Sequence, residues 1–335
     1  MSVIVDEDID RLLKATSRSF YLSLQALPDR IRDPVGLLYL LARVADTIAD
    51  TGENPSLLLT SLNEYQEACV QGSDDIDLTK LASLQSDPDE SDLLIDVTKV
   101  IGAFQGIESN DRDIMLGCLL TIISGQRLDI ERFGTKESAI VSLRNDAELD
   151  DYTYRVAGSV GEFWTKISIN HHILDSEDSE ILLNLGIQFG KALQLINILR
   201  DIPSDLSIGR CYIPSERLAE FDMVVTDLLE EGSMEKFRPL YTEYLDLACR
   251  YLDSARTYTS MIPKKHRGLR ISCMLPIIIG WRTIGLMRRG DVLDKGKPIK
   301  ISRRTIGWIL VKTRLASIIG GYESMLMRSE RTFAR

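Results

Sequence analysis

Two pairs of aspartates, far apart in the chain, have the types and spacing that could do chemistry. Asp46 and Asp50 lie four positions apart in one apolar stretch, and Asp201 and Asp205 do so in another. On an α-helix such positions share a face, about 6 Å apart along the axis, so the two carboxylates repel each other. A divalent cation would relieve this repulsion, and Mg²⁺ prefers oxygen ligands, often with a substrate phosphate. One such pair is commonly a solvated helix face, but two pairs beside arginines indicate a cavity that holds Mg²⁺ and a diphosphate ester.

The first pair has polar neighbours at helical spacing. Tyr39 and Arg43 precede Asp46 and Asp50 by intervals that place all four side chains on one face of a helix, opposite an apolar side. For this motif taken alone, a solvated helix face is a more common explanation than a binding site.

The second pair extends the same pattern. Gln194 and Asn197 precede Asp201 and Asp205 at helical spacing, so these four side chains also share a face. An asparagine amide can complete a metal or phosphate shell, and a glutamine amide can form hydrogen bonds along the wall of a pocket.

A proline and two arginines modify the second motif. Pro203 lies between the aspartates. Because proline lacks a backbone donor and clashes with the carbonyl four residues earlier, we expect the helix to kink or end near Ile202 and Asp205 to lie on a distorted turn. Arg200 and Arg210 flank the motif, and their planar guanidinium groups suit phosphate oxygens.

Two further segments contain candidate residues. Tyr152–Gly161, which reads YTYRVAGSVG, joins aromatic rings to a run of small residues. Such a run indicates either close helix packing or room for a bulky ligand. The segment SRSF at residues 17–20 offers hydroxyl and guanidinium donors for an anion, although an ordinary helix cap explains it equally simply.

Helices must position these residues, because apolar side chains follow a 3.6-residue period nearly throughout and no alternating stretch is long enough to build a sheet. With 335 residues, 44 % of them hydrophobic, the chain can bury a large core and enclose a cavity. We therefore predict an all-α fold, a single-domain helical bundle over residues 1–335. The helical runs include Ile114–Ile130, Leu143–Ile169, Ser179–Leu199, Phe237–Thr259 and Leu269–Met287.

Charge is unevenly distributed along the chain. The net charge is −10 overall, with −23 in residues 1–262 and +13 in residues 263–335. The acidic body argues against general nucleic-acid binding. The basic region can face anionic lipid, phosphates or an acidic protein surface, or can simply be solvated. The apolar residues that we expect to join it at a membrane surface are Met274, Leu275, Ile277 and Ile278.

Cysteine usage and hydropathy suggest where the protein works. The five cysteines are scattered without a C-x-x-C spacing, so neither a zinc site nor a disulfide framework is indicated. Unpaired thiols suit a reducing cytoplasm. The longest apolar run, around Pro276, is short for a bilayer span. We expect a cytoplasmic protein with weak peripheral contact to a membrane surface and no nucleic-acid partner.

Considered together, these segments resemble the squalene/phytoene synthase family, the head-to-head prenyl synthases. The resemblance implies the isoprenoid synthase fold, a bundle around a central hydrophobic channel, with farnesyl diphosphate as the substrate. It covers the chain from Ser17 to about Arg303. It rests on SRSF at 17–20, RVADTIAD at 43–50, YTYRVAGSVG at 152–161, QLINILRDIPSD at 194–205 and GRCYIP at 209–214.

The resemblance also implies roles for individual residues. Tyr152 would lie near the developing carbocation and would join the four aspartates as a catalytic residue, whereas Pro203 departs from the family's usual acidic or polar filler. The residues implied to hold Mg²⁺ are Asp46, Asp50, Asn197, Asp201 and Asp205. The candidate substrate-contacting residues are Ser17, Arg18, Phe20, Tyr39, Arg43, Gln194, Arg200 and Arg210.

The family leaves the product open. Squalene synthases reduce presqualene diphosphate with NADPH, whereas dehydrosqualene and phytoene synthases lose a proton without a reductant. The first motif reads Asp-Thr-Ile-Ala-Asp and resembles bacterial-type squalene synthases, as does the basic segment in which Lys300, Arg303 and Arg304 suit the 2′-phosphate of NADPH. We predict a squalene synthase. The alternatives are a dehydrosqualene or phytoene synthase and a catalytically silent family subunit.

Overall fold

The computed structural model describes residues 6–17, 19–52, 54–134, 140–319 and 321–334. These residues are mostly helical, with one short strand pairing, so the predicted all-α fold class is confirmed. The chain divides into two compact units. The first consists of Met1–Thr135 together with Glu162–Glu177, and the second of Lys136–Gly161 together with Asp178–Arg335. The single domain and its central channel stay predictions.

Between its turns and loops, the described residues of the first unit form helices. Its helices are α1 (Glu7–Ser17), α2 (Ser19–Ala26), α3 (Asp29–Asp50), α4 (Pro55–Gln71), α5 (Thr79–Ala82), α6 (Pro88–Ile95), α7 (Val97–Gln105) and α8 (Ser109–Phe133), followed by the part of helix Ser159–Asn170 that comes after Gly161. The long helices α3 and α8 pack against each other. Leu37, Leu41, Val44 and Ile48 of α3 are buried, as the helical period predicts, so its polar residues lie on the remaining face.

The second unit contains the other helices and one short strand pairing. The helices are α9 (Asp146–Thr153), α10 (Ser159–Asn170, to which it contributes the first turn), α11 (Ser179–Ser207), α12 (Ser215–Ala219), α13 (Met234–Met261), α14 (Arg267–Arg289), α15 (Arg303–Ala316) and α16 (Tyr322–Phe333). The strands β1 (Val141–Ser142) and β2 (Arg210–Cys211) pair in parallel and place Val141 beside Arg210. The long helices α11 and α13 pack along each other and form the centre of this unit.

The small-residue run after Tyr152 serves close helix packing. Its residues Tyr154–Gly158 form a π-helical turn that packs against α11. A Cβ atom on Gly161 would lie 1.9 Å from the carbonyl oxygen of Gly186, which no side chain can do without a backbone shift. Of the two interpretations of this segment, the structure therefore supports close packing, with backbones in contact at the glycines.

Helix α14 is a core helix, and this corrects the predicted membrane surface. Met274, Ile277 and Ile278 are fully buried and Leu275 is 8 % exposed, because α14 packs against α13, α15 and α16. The assignment of these four residues to a membrane-contact surface is therefore wrong. By length and composition alone α11 and α14 could each cross a bilayer, so α14 is longer than its apolar run suggested. In α14, however, 72 % of the most apolar 18-residue stretch is buried within the protein.

Candidate functional site

Asp46 lies in a network of polar side chains from three helices. Nη1 of Arg43 lies 3.3 Å from Oδ2 of Asp46, and the amide of Gln126 on α8 donates a hydrogen bond to Oδ1 of Asp46. Nη2 of Arg43 also pairs with Glu90 on α6. The guanidinium of Arg43 is thus shared between two carboxylates, which neutralises part of its charge.

The carboxyl group of Asp46 is harder to ionise than that of an ordinary aspartate. Burial among protein atoms, and then the charge of Asp50, raise its pKa from 3.8 to about 6, while Arg43 acts in the opposite direction. Water still reaches the side chain, which is 42 % exposed, so a hydrated cation can approach it. A divalent cation at Asp46 and Asp50 would remove their repulsion, and the pair therefore fits Mg²⁺.

Three residues of this cluster were not predicted from the sequence. Gln126 and Asp129 lie three positions apart on α8, and Asp129 is 3 % exposed, where its charge adds to the raised pKa of Asp46. The third is Glu90, near the start of the short helix α6. A glutamine and an aspartate spaced as i and i+3 within the apolar run of α8 are the signal that could have identified the first two.

Tyr39 anchors the N-terminal helices to α3. Its hydroxyl donates a 2.8 Å hydrogen bond to the backbone carbonyl of Thr16, and its ring lies 5.2 Å from that of Phe20, measured between centroids. The two aromatic candidates are therefore in contact with each other, and the phenol holds the end of α1.

The other two N-terminal candidates are described only in part. The hydroxyl of Ser17 donates to the carbonyl of Leu13 within α1, so its proton is used inside the helix. Arg18 lies outside the described residues. The anion contacts of this segment stay predictions.

In the second motif, Arg200 forms a two-pronged ion pair with Asp201. Nε of Arg200 donates to Oδ1 over 2.8 Å, and Nη2 donates to Oδ2 over 2.5 Å. These hydrogen bonds, with the negative charge of Asp205, raise the pKa of the Arg200 guanidinium above its usual value. The three charged side chains therefore act on one another on α11.

Helix α11 does not end at Pro203. It continues to Ser207, so the expectation that it could end near Ile202 is wrong. The physical reason lies on α13, where the hydroxyl of Tyr241 donates a 3.0 Å hydrogen bond to the carbonyl of Leu199, the acceptor that proline leaves without its helical donor. Asp205 consequently lies one helical turn after Asp201.

The remaining polar candidates of this motif occupy α11 and the strand beyond it. Asn197 is exposed and Gln194 is half-buried, one and two turns before Asp201. Arg210 lies past the end of the helix, on β2, where its backbone pairs in register with Val141. The strand pairing therefore fixes the backbone position of an arginine that the helical period could not place.

Tyr152 is stacked on a second tyrosine that sequence analysis did not assign. The ring centroids of Tyr152 and Tyr212 are 4.7 Å apart with an interplanar angle of 21°, and their hydroxyl oxygens are 3.3 Å apart. Both side chains are buried. Tyr212 follows Arg210 in the segment GRCYIP, and its place in that segment was the available signal.

The three residues predicted to bind the reductant lie at the start of α15. Lys300, Arg303 and Arg304 are exposed, and within the described part of the chain none of them is ion-paired. Ser302 caps the helix by accepting a 3.1 Å hydrogen bond from the backbone N–H of Thr305. Free cations beside the first turn of a helix suit an anionic group such as a phosphate.

Across the described ranges, no three His, Cys, Asp or Glu side chains converge on one point as a metal site. The candidate ligands among these residues are the carboxylate pairs of α3 and α11. This suits Mg²⁺, which proteins commonly bind through one or two carboxylates, with water and substrate phosphates as the other ligands.

Comparisons with known proteins agree with these observations. The family model described as squalene/phytoene synthase matches residues 13–305. The bifunctional lycopene cyclase/phytoene synthase of Podospora anserina is 28 % identical over 290 residues, which are 85 % of this chain and 48 % of that protein. The presqualene diphosphate synthase of Sinorhizobium fredii is 30 % identical over 213 residues, 64 % of each chain. The chain spans about half the length of the bifunctional relatives it matches.

Solved structures show the same fold. TcSQS in complex with the ligand E5700 superposes with a TM-score of 0.77 at 19 % sequence identity, covering 98 % of this chain and 97 % of that one. The isoprenoid synthase fold predicted from the sequence is thereby confirmed.

Proposed function

This chain belongs to the squalene/phytoene synthase family, and from that membership we propose that it joins two farnesyl diphosphates head to head. The first product would be presqualene diphosphate, which the same protein then reduces to squalene with NADPH. The observation that supports this best is the pairing of a carboxylate with an arginine at both motifs, Asp46 with Arg43 and Asp201 with Arg200. Such pairs supply both signs of charge that a metal-bound diphosphate needs.

The carboxylates provide the metal ligands in this proposal. When bound, Mg²⁺ would supply the positive charge that stabilises the departing diphosphate. Burial and the charge of Asp50 both destabilise the ionised carboxylate of Asp46 and raise its pKa, so a bound cation would stabilise that carboxylate strongly. We assign the ligands to Asp46, Asp50, Asn197, Asp201 and Asp205.

The arginines bind the diphosphate oxygens. Arg43 and Arg200 each neutralise a carboxylate of their own motif. When a cation satisfies those carboxylates, the two guanidinium groups are released and can turn their N–H donors to phosphate oxygens. We assign further substrate contacts to Ser17, Arg18, Phe20, Tyr39, Gln194 and Arg210.

The stacking of two buried tyrosines supports a role for them in protecting a carbocation. An aromatic face attracts a cation, and buried surroundings exclude the water that would quench it. Tyr152 and Tyr212 are both buried and share one stacked arrangement. We therefore propose that Tyr212 assists Tyr152 beside the allylic cation.

The choice of product rests on the basic segment. Lys300, Arg303 and Arg304 are exposed and not ion-paired, which supports binding of the 2′-phosphate of NADPH. A second candidate, phytoene or dehydrosqualene formation without a reductant, is supported by the 28 % identity to the phytoene synthase of Podospora anserina. The relative from Sinorhizobium fredii supports presqualene diphosphate as the first product.

Product analysis by mass spectrometry tests the proposal. The purified protein is given Mg²⁺ and farnesyl diphosphate, with and without NADPH, and in a separate reaction Mg²⁺ and geranylgeranyl diphosphate alone. We expect presqualene diphosphate to accumulate without NADPH and squalene to form when it is added. Dehydrosqualene formed equally in both reactions would overturn the reductive step, and phytoene formed from geranylgeranyl diphosphate alone would establish the second candidate.

The control for this experiment is the double variant Asp46→Asn/Asp201→Asn, which should form no product. If the wild-type protein releases no diphosphate from either substrate, the enzyme hypothesis fails and the silent-subunit alternative stands.

We also propose that the protein works in the cytoplasm and touches membranes peripherally. All five cysteines are buried free thiols, which suits a reducing compartment. The isoprenoid tail of the proposed substrate and the hydrocarbon product both partition into lipid, so contact with a bilayer would serve delivery and release.

A further inference from the structure

Exposed apolar side chains concentrate at the C-terminal end of the second unit. Trp308, Val311, Leu315, Ile318 and Ile319 are between 44 % and 67 % exposed. The first three lie on α15 and the last two just after its end, and we call all five residues the α15 apolar face. Elsewhere in the described chain, before α15, large exposed apolar side chains are scattered singly, as on most proteins. A cluster of this kind marks an interaction surface.

The geometry of α15 explains how this face arises. Ile309, Thr313 and Ala316 form its buried side, since α15 packs against α14 and α16. Trp308 and Leu315 lie two turns apart on the other side, with Val311 between them. Both sides of the helix therefore include apolar residues, although only one side is covered by the described residues.

All charged residues in the segment that contains this face are basic. From Lys300 to Ile319 the sequence contains five basic residues and no acidic residue. Arg314 is exposed at the edge of the α15 apolar face, and Lys312 is 3.9 Å from Glu330 on α16. An apolar stripe with an aromatic residue and flanking cations is typical of a helix that lies in a bilayer interface.

We propose that the α15 apolar face docks the protein on an anionic lipid surface, with its five side chains in the headgroup region and Lys312 and Arg314 on lipid phosphates. This inference rests on the proposed peripheral membrane contact and moves it from α14 to α15. Lipid fits better than a second copy of the chain. A 14-residue helix is about 21 Å long, and one such face covers far less than the roughly 800 Å² per partner of a stable interface.

Vesicle co-sedimentation of the full chain tests the proposal without substrate. Vesicles of phosphatidylcholine with phosphatidylglycerol are compared with vesicles of phosphatidylcholine alone, at low and high salt. The apolar variant is Trp308→Ser/Leu315→Ser/Ile319→Ser, and the charge variant is Lys312→Gln/Arg314→Gln. The matched control is Ile181→Ser/Val224→Ser, which changes two exposed apolar residues elsewhere in the same unit.

Wild type should bind the anionic vesicles and release at high salt. The apolar variant should bind roughly a hundredfold more weakly, because it loses three apolar side chains that would be buried in the lipid. The charge variant should bind roughly thirtyfold more weakly, since each of the two cations near the surface contributes about 1 kcal/mol. The control variant should bind as wild type. Circular dichroism confirms that each variant is folded.

A fluorescence signal reports the same contact locally. Trp308 is the exposed tryptophan among the three in the chain, so its emission should shift to the blue on anionic vesicles and the shift should disappear in Trp308→Phe. Equal binding by the apolar variant and wild type, or binding independent of anionic lipid and salt, would overturn the proposal. The proposal would also be overturned if wild type does not bind vesicles but forms a concentration-dependent dimer that the apolar variant does not form. Turnover of farnesyl diphosphate without vesicles is a separate measurement, so failure of the proposed reaction is distinguishable from failure of docking.

Discussion

Arg200 holds the carboxylate of its own neighbour, Asp201, through two hydrogen bonds of 2.8 and 2.5 Å. The proposed metal ligand therefore has a counterion within its own helix. Both charges are partly exposed, so the pair is accessible to exchange with a dissolved cation. The consequence is that Mg²⁺ and Arg200 compete for one carboxylate, and binding of one releases the other.

This competition predicts that Arg200→Gln lowers kcat/KM without raising the Mg²⁺ requirement. The kcat/KM for farnesyl diphosphate should fall roughly 10²-fold, because a donor to the departing diphosphate is lost. The Mg²⁺ concentration for half-maximal rate should not rise, because Asp201 loses its competing partner. The control is Arg144→Gln, which breaks an exposed 3.1 Å pair with Glu216 in the same unit. If half-saturation by Mg²⁺ shifts upward severalfold instead, Arg200 supports the metal ligand and does not compete for it.

The continuation of α11 through Pro203 predicts that Asp205 matters as much as Asp201. Asp205→Asn and Asp201→Asn should each lower kcat by roughly 10³-fold or more, because each removes a ligand charge from a site that stabilises the leaving group. Ser204→Ala, which changes the exposed residue between them, should keep nearly full activity. Rates measured at saturating Mg²⁺ decide the matter. A mild effect of Asp205→Asn alone would show that its carboxylate points away from the metal.

The raised pKa of Asp46 predicts a pH effect on metal use. Its folded-state pKa of about 6 lies above the ordinary 3.8, so protons compete with Mg²⁺ for this carboxylate as pH falls through 6. The Mg²⁺ concentration for half-maximal rate should therefore rise steeply below pH 6. Activity titrations with Mg²⁺ at pH 5.5 and pH 7.5, roughly half a unit or more to either side of that pKa, provide the measurement.

The same pKa gives the sign of a stability effect in metal-free buffer. The folded state holds a proton that the unfolded state releases between pH 4 and 6, so this carboxyl reduces stability as pH rises through that window. Asp46→Asn should therefore unfold at a slightly higher denaturant concentration than wild type at pH 7, by less than about 1 kcal/mol because water reaches the side chain. Equal midpoints at pH 4 and a lower midpoint for the variant at pH 7 would contradict this sign.

The backbone contact at Gly161 predicts a large loss of stability on a small substitution. In Gly161→Ala the new methyl group would lie 1.9 Å from the carbonyl oxygen of Gly186, so the helices must separate. We expect a loss of about 2–3 kcal/mol in the free energy of unfolding. Gly117→Ala is the control, because that glycine is inside α8 with no atom within 4 Å of an added Cβ, and it should gain about 0.5–1 kcal/mol. Urea midpoints of the two variants should move in opposite directions.

The sequence by itself determined the features that depend on local periodicity. The all-α class, the two carboxylate pairs and their flanking arginines follow from residue spacing, because the helical repeat places i and i+4 on one face whatever the helix later packs against. The pairing of Arg200 with Asp201 also lies within one helix and involves adjacent residues.

Only the tertiary structure decided which faces are covered and which distant groups meet. Gln126 reaches Asp46, Tyr212 stacks on Tyr152, and Tyr241 satisfies the carbonyl that Pro203 leaves open. Each of these contacts joins residues at least 42 positions apart, and hydrophobic periodicity contains no information about such partners. For the same reason the apolar residues of α14 became core while those of α15 stayed exposed: both helices are apolar and basic in sequence, but burial depends on the neighbours that packing supplies.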